Sequence, residues 1–250
     1  MSNMFQQIKA IRVDEIGHEI DETIVEDKEV ELIINDLTFG RFSISPNYIK
    51  EFAVGYLLGE GLIESKENIA DIKIENNIIN LKIDLEDFEI RRELIMSSDC
   101  FGGFRQKIEL IEKVESDFKI TKEEVINASR RLKEQSQVWK QTGGTHIAAL
   151  INQNEFIAIE DVSRHVAIDK VMGVALLNDV DFSNSFVFSS GRMPSDMVMK
   201  VARVGIPILM SKAAPTVSGL LAGEKSGITL IGFVRGRRFN IYTNPQRIII

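Results

Sequence analysis

The sequence has a single cysteine, Cys100, among 250 residues. One thiol excludes an internal disulfide and any zinc site built on several cysteines, and it fits a reducing, cytoplasmic setting. Histidine is scarce as well. His18, His146 and His165 lie far apart without metal-ligand spacing, so no metal centre is expected. No run of about 18 or more apolar residues is present to span a membrane. Residues Met1 to Gln7 lack the basic and apolar regions of a secretory signal. The net charge of −7 argues against general nucleic-acid binding. Internal repeats and low-complexity segments are missing too. These absences predict a soluble cytoplasmic protein with neither a membrane nor a nucleic-acid partner.

What is present is an apolar fraction of 44% and a charged fraction of 27%, the balance of an ordinary globular protein. The charge is uneven. Gly191 to Ile250 carries nine Lys and Arg against Asp196 and Glu224, a net of +7. A basic region on an acidic protein points to a local anionic ligand, with plain solvated charge as the alternative.

Alternating apolar residues from Glu29 to Ser45, broken by Asn35-Asp36, predict a hairpin. Ser45-Pro46-Asn47 opens a helix to about Glu60, with Phe52, Val54, Tyr56, Leu57 and Leu58 on an apolar stripe. Short strands follow from Ile69 to Leu85 with Asn76-Asn77 as their turn. A helix is expected from about Arg105 to Glu115. Thr121 to Glu124 forms a capping box for another, which turns Val125, Ala128 and Leu132 inward. This charged pair of helices marks the expected junction between an N-terminal mixed α/β domain, 1–116, and a second domain, 117–250.

In the second part strands and helices alternate. Strands are expected at Thr145 to Leu150, Glu155 to Ile159, Phe186 to Phe188, Ile206 to Met210 and Thr229 to Val234. Helices follow Glu160-His165, Pro194 and Pro215. That order predicts a three-layer α/β domain, and an α+β architecture for the whole chain.

Four places carry groups suited to chemistry. Cys100 sits between Ser97-Ser98-Asp99 and Gly102-Gly103, among turn formers rather than inside an apolar run, which predicts a reachable loop. A helix beginning soon after it would depress the thiol pKa. The other three lie at predicted strand ends, where α/β domains place ligands. Gly143-Gly144 permits close backbone approach, and His146 beside it can relay a proton. His165 and Asp169 are four apart on a helix, so the carboxylate is expected to orient the imidazole. Ser190-Gly191-Arg192 is a strand-to-helix turn with N–H groups suited to phosphate. With the basic run Phe233 to Arg238, these residues describe a site for a phosphorylated ligand.

The blocks Thr142 to His146, Glu160 to His165 with Ala167 to Val171, and Ser190 to Arg192 resemble the signature blocks of the FdhD family. So do Gly205 to Leu209, Ala214 to Thr216, Gly232 to Gly236 with Phe239 to Tyr242, and Ser45-Pro46 with Glu51 to Gly61. The order is right from about residue 30 to the C-terminus. The resemblance implies a formate dehydrogenase accessory sulfurtransferase. Such a protein takes sulfur as a persulfide from a cysteine desulfurase. It passes that sulfur to the molybdenum or tungsten bis(molybdopterin guanine dinucleotide) cofactor before insertion into the catalytic subunit of formate dehydrogenase. The cofactor is then the sulfuration target, and no tightly held cofactor of the protein's own is implied.

By position, Cys100 matches the family's persulfide cysteine, and Phe233, Val234, Arg235, Gly236, Arg237 and Arg238 match its cofactor-binding segment. Gly143, Gly144, His146, His165, Ser190, Gly191 and Arg192 join them as expected cofactor-binding residues. A homodimer is implied as well, together with a second domain similar to the cytidine-deaminase fold. Deamination is excluded, because the P-C-x-x-C zinc ligands are missing.

Many family members carry C-x-x-C at this point, whereas this chain has Gly103 as the fourth residue. A lone thiol still holds a persulfide, but no step through an internal disulfide is open to it. Two alternatives follow. One is a chaperone that escorts the cofactor without moving sulfur. The other is a Cys-His hydrolase that joins Cys100 to His146 or His165.

Overall fold

Asn35-Asp36 and Asn76-Asn77 form the two expected turns, all four residues at positive φ between 48° and 65°. Two left-handed residues in succession match the right-handed twist of the strands they join, and asparagine and aspartate tolerate that region. The computed structural model describes residues 4–84, 94–96, 102–104 and 112–250. The chain begins with a two-stranded antiparallel arm, β1 (Phe5–Val13) and β2 (Gly17–Val25). Then come β3 (Lys28–Ile34), β4 (Leu37–Ile44), α1 (Ile49–Glu60), β5 (Ile69–Glu75) and β6 (Ile78–Ile83). The last four strands make a sheet in the order β4-β3-β6-β5, with β3 and β6 parallel.

Two short strands, β7 (Leu94–Met96) and β8 (Gly102–Phe104), pair antiparallel. Cys100 lies between them, outside the described residues. So does most of the helix expected from Arg105. Its final stretch, Glu112 to Glu115, is described and is not helical. There the chain is held by hydrogen bonds instead: Val114 N–H donates to Ser226 O, and Arg247 donates to the carbonyls of Val114 and Ser116.

The rest runs β9 (Ile120–Thr121), α2 (Lys122–Gln135), α3 (Gln137–Thr142), β10 (His146–Ile151), β11 (Phe156–Asp161) and α4 (Arg164–Leu177). It continues with β12 (Phe186–Ser189), α5 (Ser195–Arg203), β13 (Ile208–Ser211), α6 (Val217–Ser226), β14 (Thr229–Arg235), β15 (Arg238–Ile241) and β16 (Ile248–Ile249). The expected capping box is in place: Glu124 N–H donates to Thr121 Oγ1, and Thr121 N–H returns a bond to Glu124.

Six strands form the main sheet in the order β11-β10-β12-β13-β14-β15, parallel from β12 to β14 and antiparallel on either side. Its strands β10, β12 and β13 are buried on both faces. Ile147, Phe188 and Met210 face one core with Val125, Ala128 and Leu132 of α2. Ala148, Leu150, Val187 and Leu209 face the other with α4, α5 and α6. This is the expected three-layer arrangement.

The second core continues into β3, β4, β6 and α1, so α1 is covered on every side and not along one stripe. It crosses α4 at two glycines. A Cβ on Gly55 would lie 1.8 Å from Asp169 O, and one on Gly173 would lie 1.8 Å from Glu51 O. Only glycine lets the two backbones come this close.

Buried charges tie the same elements together. Lys170 is fully buried, and its Nζ reaches Asp161 Oδ2 at 2.5 Å, Asn47 Oδ1 at 2.8 Å and Ser45 O at 2.9 Å. Lys200 Nζ lies 2.6 Å from Asp169 Oδ1 and 3.2 Å from Glu60 Oε1. Two carboxylates thus share one ammonium. Burial first, with Glu60 adding to it against the pull of Lys200, pushes the Asp169 carboxyl from 3.8 up to about 6.

An unfolded Asp169 releases its proton near pH 4 whereas the native one holds it to about 6, so this contribution to stability falls as pH rises through that window. Asp169→Asn stays neutral throughout. The melting temperature of the native chain relative to this variant is therefore expected to decline between pH 4 and pH 6; a constant difference would refute the shift.

Candidate functional site

Cys100 lies outside the described residues, whereas the expected residues at strand ends lie along one edge of the main sheet. β12, β13 and β14 end there with Ser189, Ser211 and Arg235, β11 ends with Asp161, and β10 begins with His146. The starts of α4, α5 and α6 follow directly from three of those ends. This is the crevice outside the carboxyl ends of parallel strands, next to the point where the sheet changes direction.

A cavity of about 440 Å³ opens at this edge, lined in part by Gly143, Gly144, His146, Ser190, Trp139 and Lys212. His146 Nδ1 is 3.1 Å from Ser190 Oγ, which also accepts the Ile147 N–H at 3.1 Å. That pair joins two of the strand-end motifs. Gly143, at φ 65°, closes α3, and its N–H donates to Trp139 O at 2.7 Å. Gly144 is a glycine for another reason: a Cβ there would come within 2.7 Å of Val25 Cγ1 in β2.

The carboxylate of Glu160 organises this wall. It accepts the N–H groups of Val138 and Trp139, each at 2.8 Å, and the Thr145 hydroxyl at 2.9 Å. Lys212 stands just past the end of β13, its N–H bonded to Ser189 O at 3.1 Å. Partial burial, and secondly the Lys133 ammonium, push the Lys212 amine below its usual value.

Beside the cavity, the Arg164 side chain lies against Gly191, where a Cβ would come within 2.4 Å of its Cδ. Arg192 is exposed on the same turn. His165 is buried, and its Nε2 faces Asp196 Oδ2 at 3.3 Å, not Asp169 as the i,i+4 spacing predicts. Asp169 is held by Lys200 instead, a cation that reaches it from α5.

Phe233 N–H donates to Ala213 O at 3.0 Å, which sets the basic run beside the end of β13. The register shifts between Gly232 and Arg235, with Phe233 at φ 52°. This bulge turns Phe233 outward, 39% exposed, and Val234 into the core. Arg235 lies over the Phe233 ring at 5.8 Å. Gly236, at φ 61°, and Arg237 form the turn into β15, and Arg235, Arg237 and Arg238 are all exposed.

The basic C-terminal region therefore divides. Arg192, Lys225, Arg235, Arg237 and Arg238 are exposed. Lys200 is spent in the buried ion pairs, Arg203 on Gly59 O, and Arg247 on the carbonyls of Val114, Ser116 and Gly227. Those three cations are structural. Glu160 and Arg164 fall inside the Glu160–His165 block without a role of their own, and Trp139, Asp196 and Lys212 carry no mark in the sequence beyond the place of Lys212 after an expected strand. Among the described residues there is no His/Cys/Asp/Glu cluster able to hold a metal, and no helix is long and apolar enough to cross a membrane.

The architecture is that of an α/β protein with a crevice at the edge of its main sheet, lined by Gly143 and Gly144 and by Lys212. Residues 25–249 match the model of the FdhD/NarQ family. The chain is 49% identical to the sulfur carrier protein FdhD of Methanothermobacter thermautotrophicus, over 99% of this chain and all of that one. It is 40% identical to the sulfur carrier protein FdhD of Saccharolobus solfataricus, over 82% and 81% of the two chains. A crystal structure described as a formate dehydrogenase accessory protein from Desulfotalea psychrophila superposes with a TM-score of 0.87 at 30% identity, covering 99% of this chain and 100% of that one. The chain belongs to the FdhD/NarQ family.

Proposed function

We propose that the protein is a sulfur carrier that serves formate dehydrogenase, with Cys100 as the carrying residue. The observation that carries this reading is the pairing of full-length similarity to sulfur carrier proteins with a single cysteine in the sequence. If a thiol carries the sulfur, no other residue can. The Cys100 thiolate attacks the outer sulfur of a persulfide on a cysteine desulfurase, the donor's S–S bond breaks, and the donor leaves as a thiolate. The recipient is the molybdenum or tungsten bis(molybdopterin guanine dinucleotide) cofactor, the protein's substrate, before it enters the catalytic subunit of formate dehydrogenase.

The crevice supports the same reading. Gly143, Gly144, His146 and Ser190 line a cavity that takes a nucleotide-sized part of the cofactor, while Arg192, Arg235, Arg237 and Arg238 supply guanidinium forks for the pyrophosphates. His165 is carried in this reading by its place at the start of α4, one residue from Arg164. The reading also includes a cytoplasmic homodimer, domains at 1–116 and 117–250, and a cytidine-deaminase-like second domain. Gly103 favours the alternative of an escort that moves no sulfur, since it removes a second thiol.

The dinucleotide part is tested with Arg235→Gln/Arg237→Gln. The double variant is expected to bind GDP at least about tenfold more weakly. It is also expected to restore less formate dehydrogenase activity to cells that lack their own copy. Unchanged GDP affinity would remove the basic run from the site.

A further inference from the structure

The arm of β1 and β2 is a two-stranded ribbon, and such a ribbon is marginal in water unless something packs against it. Its base is held: Glu26 N–H donates to Met4 O at 2.9 Å, and Val25 lies against Gly144. Nine residues in each strand carry the far end about 30 Å from that base. Every residue from Ile11 to Glu19 is exposed, with Ile11, Val13 and Ile16 between 73% and 75%. Three large apolar side chains together at one tip mark an interaction surface. The arm is also acidic. Asp14 to Asp27 contains seven Asp and Glu and no Lys or Arg. The cations of β1 are taken within the arm, Lys9 by Asp21 at 2.8 Å and Arg12 by Glu22 at 3.3 Å. Asp14 and Glu15 thus leave the apolar tip with an acidic rim.

The opposite pattern stands on α6, in the basic part of the chain. Val217 and Leu221, one turn apart, are 78% and 51% exposed, and Lys225 follows one turn further on, also exposed. An arm that depends on a partner for its order needs one that is always present, and a second copy of the chain meets that need. Pairing arm with arm does not serve: it would set Lys9 and Arg12 of β1, or the acids of β2, against their own copies, and like charges opposite one another are destabilising.

We infer that the arm docks on a second copy of this chain, Ile11, Val13 and Ile16 packing against Val217 and Leu221 of α6, with Asp14 and Glu15 facing Lys225. Two such contacts, exchanged reciprocally, close a twofold dimer. The inference rests on the proposed homodimer and adds the surface that makes it.

The test is sedimentation equilibrium of the full-length chain and of two variants, one on each side of the contact. The native chain is expected to be a dimer. Ile11→Ser/Ile16→Ser and Val217→Ser/Leu221→Ser are each expected to raise the dimer dissociation constant at least about tenfold. All four side chains are exposed in the single chain, so both variants are expected to keep a cooperative melt. Mixing the two variants separates docking from misfolding. In a mixed pair the native arm of one copy meets the native α6 of the other, so differently tagged variants are expected to associate more tightly with each other than either does with itself. A mixture no tighter than either variant alone would overturn the docking. Dimerisation unchanged in both variants would overturn it too, while leaving the homodimer reading in place. A native chain that sediments as a monomer would overturn both.

Discussion

Replacing Lys170 by Ala lowers the stability of the protein by about 3–5 kcal/mol, the cost of leaving a buried carboxylate without its cation. In a chain of this size that is about 6–20 °C in melting temperature. Both Lys170 and Asp161 are fully buried. Burial pushes the Asp161 carboxyl up and the Lys170 amine down, and the charge of each opposes the shift of the other. The pair holds because the surroundings saturate it. Asp161 also accepts Ser45 N–H at 3.0 Å and Ser163 N–H at 2.8 Å, while the ammonium donates to Ser45 O and Asn47 Oδ1.

These bonds pin the segment that enters α1 to the segment that enters α4, beside the crevice. Removing both charges together, in Asp161→Asn/Lys170→Met, is expected to recover part of the loss, because no lone buried charge remains. Thermal unfolding of the three variants decides it. A fall under about 2 °C for Lys170→Ala would show that the lysine is not holding the two segments.

The residues of this network were visible in the sequence, but their pairing was not. Asp161 and Lys170 lie nine residues apart, and Ser45 more than a hundred before them, so the bonds exist only once α1 has packed across α4. The same explains His165. Spacing along one helix offered it Asp169, and the packing of α5 gave Asp169 to Lys200 and His165 to Asp196.

Local chemistry was far easier to read. The turns at Asn35-Asp36 and Asn76-Asn77, the capping box at Thr121 and the apolar runs of β10 to β14 each depend on neighbours in sequence, and each stands within about two residues of its expected place, whereas β15 was not expected. The arm of β1 and β2 escaped notice for the opposite reason. Neither of its faces is buried, as the exposure of Ile8, Ile11, Val13 and Ile24 shows, so no alternation of apolar and polar residues was written into it.

His146 and Ser190, both at strand ends legible in the sequence, meet at one edge of the main sheet. The bulge that sends Phe233 out and Val234 in carries no sequence mark beyond the glycines around it.

Replacing Cys100 by Ala is expected to abolish maturation of formate dehydrogenase, leaving activity at the level of cells without the protein. The chain has no second thiol to which the sulfur could move. Folding is a separate matter: the variant is expected to bind GDP as the native chain does, because it leaves Gly143, Gly144, His146, Ser190 and Lys212 of the cavity wall in place. An escort that moves no sulfur would keep most of its activity in the same substitution.

The most direct measurement is the intact mass of the protein after incubation with a cysteine desulfurase and cysteine, on the native chain and on Cys100→Ala. A gain of one sulfur atom on the native chain alone, reversed by a thiol reductant, is the predicted result. No gain on the native chain, with the desulfurase shown active on another acceptor, would contradict the account.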